Sequence, residues 1–522
     1  MERFSHMHLK ARIRDWNSQP VRASGSYVLY WMQLYRRFRT NHALDYAIEC
    51  AESLGKPLVV YEGLKLDYRW SSARHSQFLI EGMRENAEFA REHGLNYWPF
   101  VEGSPDHGTK IKKRFDPSGR GLLRWLSESA CLVVTDDYPA FIVPEQTSAL
   151  ASKVDVAVHA IDGNSILPLS ALGPTVSAAA HLRPRIHKAF ATHWPHRAIL
   201  EPVFSPTIKQ RIEPPFPLWN HECDLPALVK TLPIDQTVPA LPDIRGGSIA
   251  GREVLQSFIR SKLKRYADER SQPDDPDRNA ASGISPWLRN GHIGIQEVVE
   301  CVLNTTGNWS PERINIKSAG KREGFYCDDD AVNSFLDEAI TWRDVGYHWH
   351  YHRGADIESL ARSLPPWALQ TLRRHERDPR THIYTLEEFE AGATHDPLWN
   401  AAQRELVATG RIHNYLRMLW GKKVLEWSST PDSAYEILEH LNNKYAIDGR
   451  DPNSYTGILW CFGLFDRPWP PERNVYGTIR YMSSDNTAKK FKLASYHEYI
   501  KTLPTIAQVR AGRTTVEVPT LF

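Results

Sequence analysis

Short apolar runs alternate with amphipathic helical patterns over the first 175 residues, and this alternation constrains the fold most strongly. The run SYVLYWMQ (26–33) precedes the helical pattern 41–55, for which Gly55 is a candidate C-cap, and KPLVVYEG precedes a second helical pattern at 73–94. Further strand-like runs are LNYWPFVEG, ACLVVTDD and KVDVAVHAID. Strands separated by helices need crossover connections, which make the strands parallel in one sheet. The sequence therefore predicts an α/β domain with a parallel sheet over about residues 20–175.

The rest of the chain does not show this alternation of strand-like and helical patterns. Residues 176–245 contain proline-rich stretches such as EPPFPLWN and no clear series of strands, so we interpret them as an interdomain connector on the surface with some local helix. Between 246 and 505 the patterns are helical, as in AGREVLQSFIRSKLKRYADE and SAYEILEHLNNKY. We predict a second, mostly α-helical domain there, because 522 residues exceed what one ordinary core holds.

Composition excludes several classes of protein. No apolar run is long enough for a membrane helix, and the first twenty residues lack the apolar stretch of a secretory signal. The 6 cysteines form no CxxC pair, which argues against a disulfide scaffold and for a reducing compartment. We therefore expect a cytoplasmic protein, nucleoid-associated if bacterial. The net charge is only +2, so binding to nucleic acid would require a local basic face.

Two familiar types of site are not predicted. The segment YHWHYH brings His348, His350 and His352 together, and the first and last of these share a helix face. No carboxylate stands at ligand spacing, so we expect packed histidines and no metal site. No GxGxxG follows the first strand, which argues against a dinucleotide bound there in the Rossmann manner.

Three local patterns in the helical half indicate a ligand site. Ser282, Gly283 and Ser285 precede Pro286 and a new helical run, where hydroxyls and free amides suit a phosphate, although Ser-x-x-Ser-Pro is also an ordinary N-cap. Glu338 and Trp342 stand at i and i+4, on one face of a helix. They are either a partly exposed indole beside a solvated glutamate or a pair that supports a flat heterocycle. Polar residues crowd 441–460, which is either a satisfied buried network or a ligand site.

Trp420 and Trp427 stand seven residues apart in RMLWGKKVLEWSS. After seven residues, an α-helix has turned to within about 20° of its starting direction, so both indoles lie on one stripe of the helix. Such a stripe is typical of a packed helix face, and it would also suit electron transfer between the rings.

Longer stretches resemble a known family. THDPLWNAAQ, RMLWGKKVLEW, LNNKYAIDGRDPNSYTGILW and YGTIRYM are similar to segments of class II cyclobutane pyrimidine dimer photolyases, in the photolyase/cryptochrome family, and so are YVLYWMQ, NHALDYAIE, ARHSQFLIEG and AAHLRPRIHKAF. The resemblance extends from about residue 26 to 500. It implies an α/β antenna domain and a helical FAD-binding domain, in a monomeric lyase that repairs UV-damaged DNA. The repair step it implies is light-driven electron transfer from reduced FAD to a flipped-out dimer.

The resemblance also implies roles for individual residues. Those that would bind FAD are Tyr266, Ser282, Gly283, Ile284, Ser285, Arg417, Asn442, Asp448 and Asp451. Those that would contact the lesion or DNA are Glu338, Trp342, Met418, Trp460 and Arg480. Those with catalytic or electron-relay roles are Glu338, Asn442, Trp399, Trp420 and Trp427.

Departures from the family pattern keep alternatives open. The usual Leu-His-Phe-Gly-Gln is Leu288-Arg289-Asn290-Gly291-His292 here, and residues 305–332 resemble an insertion of unassigned role. A cryptochrome-like photoreceptor would keep FAD and the tryptophans without repairing DNA. Repair of (6-4) photoproducts would call for a histidine near the lesion, and His292 and His413 are unassigned. The presence and identity of an antenna chromophore, a deazaflavin or a folate, also stay open.

Overall fold

A six-stranded sheet forms the N-terminal half. The computed structural model describes residues 9–107, 119, 121–353 and 359–514. Its strands are β1 (Ile13–Asp15), β2 (Tyr27–Trp31), β3 (Leu58–Leu64), β4 (Asn96–Val101), β5 (Ala130–Asp136) and β6 (Val158–Ile161). Their order is β1-β6-β5-β2-β3-β4. All neighbouring pairs among β2–β6 are parallel, and β1 pairs with β6 in the antiparallel sense. The predicted parallel sheet is confirmed, with one short antiparallel edge strand that the sequence pattern missed.

The α-helices that accompany the sheet are α1 (His42–Leu54), α2 (Ala73–His93), α3 (Leu122–Glu128) and α4 (Val143–Ala151). Helices α1 and α2 end at Gly55 and Gly94, whose positive φ values of 62° and 69° let their backbone amides bond to carbonyls of the last turn. The predicted C-cap at Gly55 is therefore confirmed. The central strands are buried on both faces, which explains why they appear in the sequence as continuous apolar runs.

The segment that we predicted as a surface connector is more deeply packed than expected. It contains α5 (Ala179–His193) and α6 (Leu225–Thr231). Leu182, Ile186 and Phe190 of α5 are fully buried, and Trp219 packs with α2 and α6 in a separate apolar cluster. Proline richness indicated irregular backbone but gave no information about burial.

The C-terminal half is helical, as predicted. Its helices are α7 (Ser248–Ser261), α8 (Tyr266–Glu269), α9 (Ser285–Arg289), α10 (Ile295–Leu303), α11 (Asp330–Leu336), α12 (Arg343–Arg353), α13 (Leu360–Ser363), α14 (Pro366–His375), α15 (Leu386–Ala391), α16 (Pro397–Thr409), α17 (Asn414–Trp427), α18 (Pro431–Tyr445), α19 (Pro452–Cys461), α20 (Ser484–Lys490), α21 (Ala494–Thr502) and α22 (Ile506–Arg510). A π-helical turn, Asp337–Trp342, joins α11 to α12. Within the described residues, no helix combines the length and the apolar character needed to cross a membrane.

Buried polar contacts fix the α/β half against the helices. The Arg74 guanidinium on α2 donates to the carbonyls of Tyr445 (2.8 Å) and Val407 (2.7 Å). Tyr138, which follows β5, donates to Asp451 Oδ2 at 3.0 Å. Hydrogen bonds that satisfy buried groups on both sides favour a single arrangement of the two halves. The cavity described below lies next to Asp451.

Candidate functional site

A cavity of about 720 Å³ opens among the helices of the C-terminal half, within the size range of small-molecule and cofactor sites. Several separate segments contribute to its wall, chiefly α8, α9, the π-helical turn, α17 and α19. The sequence-predicted residues in this wall are Tyr266, Ser282, Ile284, Ser285, Glu338, Trp342, Arg417, Met418, Trp420, Asn442, Asp448, Asp451, Trp460 and Arg480. Gly283, Trp399 and Trp427 do not line it. Gly283 instead turns the chain, with a φ of 68°.

A carboxylate joins two of the walls. Asp448 Oδ1 pairs with the Arg417 guanidinium at 3.1 Å, and Asp448 Oδ2 accepts a hydrogen bond from Ser285 Oγ at 2.7 Å. Ser285 is the first residue of α9, so this contact connects the Ser-Pro turn to α17. Asp448 therefore fixes the direction in which the Arg417 cation points into the cavity.

An asparagine pair lies behind this carboxylate. Asn442 lines the cavity and donates from Nδ2 to Asn443 Oδ1 at 3.2 Å, and Asn443 Oδ1 also accepts from the Arg450 amide at 2.8 Å. Both asparagine side chains are buried. Because Asn443 holds the amide of Asn442 in one orientation, the Asn442 side chain has a fixed orientation in the cavity wall.

Asp451 has a different environment from Asp448. Its Oδ2 accepts hydrogen bonds from Tyr138 at 3.0 Å and Tyr347 at 2.6 Å, and its Oδ1 caps α19 through the Asn453 amide at 2.8 Å. Protein donors thus occupy both oxygens. The observed contacts make Asp451 a junction between the two halves of the protein beneath the cavity.

Glu338 and Trp342 both lie in the π-helical turn Asp337–Trp342 and line the cavity. Such turns are rare and occur frequently at functional sites. Glu338 Oε1 pairs with the Arg270 guanidinium at 2.7 Å. Burial raises the pKa of Glu338, while Arg270 opposes that rise. The site can therefore hold a carboxyl that keeps its proton more readily than an exposed glutamate.

Trp460 and Arg480 form another part of the wall, and further aromatic and basic side chains contact them from outside it. The Arg480 side chain is exposed and lies over the rings of Trp460 (5.7 Å) and Trp469 (4.8 Å). Lys422 lies over Trp460 at 4.7 Å and donates to the Cys461 carbonyl at 2.8 Å. A cation over an indole face is attracted by the ring quadrupole. Arg480 is thus held at the mouth of the cavity while its charge stays accessible.

The three predicted relay tryptophans are in contact, in an order that the sequence did not give. Trp420 lines the cavity and stacks on Trp399, with ring centroids 6.2 Å apart and planes at 9°. Trp399 is 6.3 Å from Trp427. Its Nε1 donates to the Trp420 carbonyl at 3.0 Å, which fixes its ring between the other two. The series Trp420–Trp399–Trp427 therefore leads away from the cavity through the fully buried Trp399.

Sequence reasoning missed several residues of the wall. Arg270 follows Tyr266 by four residues, a helical spacing that could have placed both on one face. Arg322 and Asp466 come from irregular segments and gave no such signal. Neither His292 nor His413 is in the wall, and no histidine lies among the described residues that line the cavity. His348 and His352 share a helix face as predicted, and both contact the Gly173 carbonyl.

Two buried polar atoms test whether a polar cofactor fits. Arg417 Nε and Asp466 Oδ2 have no hydrogen-bond partner within the described part of the chain, and both residues line the cavity. An unpaired buried donor or acceptor costs about 1–3 kcal/mol, so such atoms indicate a missing partner. The wall thus offers a cationic donor, a carboxylate acceptor and apolar rings, a set that suits a flat polar heterocycle such as a flavin.

Comparison with known proteins gives both sequence relatives and structural neighbours. No family model matches the chain. The deoxyribodipyrimidine photo-lyase of Methanothermobacter thermautotrophicus is 34% identical over 497 residues, which cover 94% of this chain and 98% of the relative. The protein of the same name from Arabidopsis thaliana is 31% identical over 506 residues, which cover 94% of this chain and 92% of the relative.

Solved structures extend the comparison to the fold. A bacterial class III photolyase from Agrobacterium tumefaciens matches with a TM-score of 0.63 and 19% identity, covering 95% of this chain and 93% of that one. A Synechocystis cryptochrome matches with a TM-score of 0.60 and 15% identity, covering 93% of this chain and 91% of that one. The predicted combination of an α/β domain with a helical domain is confirmed.

Proposed function

The chain belongs to the deoxyribodipyrimidine photolyase family, an enzyme family that generally binds FAD, and we propose that it repairs cyclobutane pyrimidine dimers in DNA by light-driven electron transfer. Residues 246–505 would carry FAD and the lesion, and residues 20–175 would form the antenna-like domain, joined by 176–245. The enzyme would act as a monomer on UV-damaged DNA.

One observation carries the proposal. All of the residues predicted to contact the lesion, and all but Gly283 of those predicted to bind FAD, line a single cavity, although they are scattered from Tyr266 to Arg480 in the sequence. A structural core would not need Arg417, Asp448 and Glu338 around a hollow, because burying charged groups without a ligand is costly.

FAD would be held by Arg417, Asp448, Asn442 and the Ser282–Ser285 turn. In its reduced state, FAD supplies the electron that splits the dimer when light excites it. The Arg417 cation supports negative charge in the cavity, and the paired Asp448 keeps that cation in place. Asn442 can hydrogen-bond to a ring nitrogen without removing its proton.

The lesion would occupy the part of the cavity between the π-helical turn and α19. A damaged pair costs less to flip out than a normal one, because its stacking and pairing are already disturbed. Trp342, Met418 and Trp460 offer apolar contacts that exclude water from the pyrimidine rings. Glu338, with its raised pKa, can donate a hydrogen bond to a pyrimidine carbonyl on which negative charge develops. The tryptophan series gives electrons a path to the cavity between repair events.

Two alternatives remain distinct from this proposal. A photoreceptor would need FAD and the tryptophans but not the lesion-facing wall, so the presence of Glu338, Met418 and Arg480 around the cavity favours repair. Repair of (6-4) photoproducts would call for a histidine at the lesion, and no described residue of the wall is a histidine.

Three duplexes of the same sequence separate the alternatives. One carries a cyclobutane thymine dimer, one a (6-4) photoproduct and one no damage. The flavin-loaded, pre-reduced protein should restore the cyclobutane duplex under blue light and leave the (6-4) duplex unchanged. Restoration of the (6-4) duplex alone would select the second alternative. If neither lesion is restored, and the bound flavin photoreduces in a separate sample of oxidised protein, the photoreceptor is selected.

A further inference from the structure

The segment 307–326, which lies within the stretch that resembles an insertion, is fixed to α5. The Trp309 indole donates to the Tyr326 carbonyl at 2.8 Å and so joins the ends of the segment. Phe325 stacks on His187 of α5, with ring centroids 3.6 Å apart and planes at 7°. The Gly320 amide donates to His187 Nδ1 at 3.0 Å. The segment is therefore held at both ends and near its middle.

This fixed segment brings one cation, Arg322, to the cavity and carries two further exposed lysines. Arg322 lines the cavity on the side of Glu338 and opposes the burial-driven rise in the pKa of that carboxyl, while remaining solvent-exposed. Lys317 and Lys321 are also exposed. None of the three takes part in an ion pair within the described part of the chain, in contrast to Arg270, which is paired with Glu338. Their charge is therefore available to an external anion.

The neighbouring acidic residues do not cancel this charge at the cavity. Glu323 and the run Asp328–Asp330 follow in the sequence, but none of them lines the cavity. Asp329 accepts a hydrogen bond from the Val332 amide at 3.0 Å and caps α11, which occupies its side chain. Arg322 thus lies in the cavity wall with the exposed Lys321 next to it in the sequence, while Asp329 at the acidic end of the stretch caps the following helix.

We propose that the segment 307–326 is a DNA-binding arm, in which Lys321 and Arg322, with Lys317 beside them, bind the phosphate backbone next to the flipped lesion. The inference rests on the function proposed above. A dimer that enters the cavity brings its own phosphates to the mouth, and an unpaired cation beside the cavity attracts them. Arg480, which lies over Trp460 and Trp469, provides a second cation at the mouth.

The test uses the full-length, FAD-loaded protein and a fluorescein-labelled duplex with one central thymine dimer. The variant is Lys321→Ala/Arg322→Ala, and the matched control is Lys153→Ala/Lys230→Ala, which removes two exposed lysines that do not line the cavity. Affinity is measured by fluorescence anisotropy over a range of salt concentrations. Each lost phosphate contact should reduce the slope of log affinity against log salt by about 0.9, so the arm variant should lose about 1.8.

The expected result is weaker binding by the arm variant, most at low salt, with wild-type slope in the control and unchanged flavin absorbance and thermal midpoint in both. If the arm variant keeps the wild-type affinity and the wild-type slope of log affinity against log salt, the proposal that the segment 307–326 binds DNA is refuted. Failure of the proposed function is distinguishable, because the wild-type protein itself would then neither prefer damaged DNA nor restore it.

Discussion

Replacing Trp399 by phenylalanine should interrupt electron supply to the cavity while leaving the fold intact. Trp399 is fully buried and lies between Trp420 and Trp427, with centroid distances of 6.2 and 6.3 Å. Phenylalanine keeps a ring in the space but removes the easily oxidised indole. The remaining step runs directly between Trp420 and Trp427, which seven residues of helix separate by about 10 Å. We expect photoreduction of the bound flavin to slow strongly.

The cost in stability can be estimated from the contacts. The variant loses the hydrogen bond from Trp399 Nε1 to the Trp420 carbonyl, worth about 0.5–1.5 kcal/mol. It also loses the packing of part of the indole ring. Truncating a buried tryptophan completely to alanine costs about 3–5 kcal/mol, which is an upper limit for this loss. A total of about 1–3 kcal/mol should leave the protein folded and able to bind FAD.

Trp309→Phe is the matched control. Trp309 is also buried and its Nε1 donates to a backbone carbonyl, that of Tyr326, at 2.8 Å, but it contacts none of the three relay tryptophans. Photoreduction under blue light with a thiol reductant and the thermal midpoint are measured on both variants. Both should lose some stability, and only Trp399→Phe should photoreduce slowly, while repair by chemically pre-reduced protein stays normal. Equal photoreduction rates per folded molecule would show that Trp399 serves packing alone.

Three further predictions concern the cavity and its surroundings. Glu338→Ala should lower light-dependent repair about tenfold or more, because a hydrogen bond to a developing charge contributes about 1.5–3 kcal/mol. An unchanged repair yield with an unchanged flavin spectrum would contradict the proposed hydrogen bond from Glu338 to the lesion. Asp448→Asn should weaken FAD retention on gel filtration, because it breaks the ion pair with Arg417 and weakens the hydrogen bond from Ser285. Full retention of FAD would refute the proposal that Asp448 helps to hold the cofactor. Burial lowers the pKa of Lys422 to about 8, below its value of about 10.4 in the unfolded chain, so the unfolded state binds more protons between these pH values. The contribution of Lys422 to the free energy of unfolding should therefore be constant below about pH 8 and rise above it, by up to about 1.4 kcal/mol per pH unit. Urea titrations of the wild type and of Lys422→Met over this pH range measure the effect. The rise due to this group should be present only in the wild type.

The sequence predicted the larger elements because their physical signals are local. Buried parallel strands appear as apolar runs, and helices that end at Gly55 and Gly94 carry their own C-caps. The antiparallel strand β1 was missed because three residues, none of them buried, leave no periodic pattern. The π-helical turn Asp337–Trp342 was also missed, since a shift in backbone hydrogen bonding does not require an unusual residue.

Parts of the site depend on tertiary contacts that the sequence does not display. Lys422 and Lys423 appeared as charges between two tryptophans, yet both are buried, Lys422 against Trp460 and Lys423 paired with Glu426 at 2.6 Å. Trp399 was assigned to the relay without a position in it, and its place between Trp420 and Trp427 follows only from the packing of α16 on α17. Arg322 reaches the cavity from a segment whose role the sequence left unassigned.

Blue-light restoration of thymine absorbance in UV-irradiated oligothymidine is the most direct test of the central claim. The purified protein, loaded with FAD and chemically reduced, is mixed with the irradiated oligonucleotide and split into illuminated and dark samples. We predict recovery of the absorbance of intact thymine in the illuminated sample alone, with each protein molecule acting many times. Absence of recovery from a well-folded protein that contains about one FAD per chain would contradict dimer repair as its function.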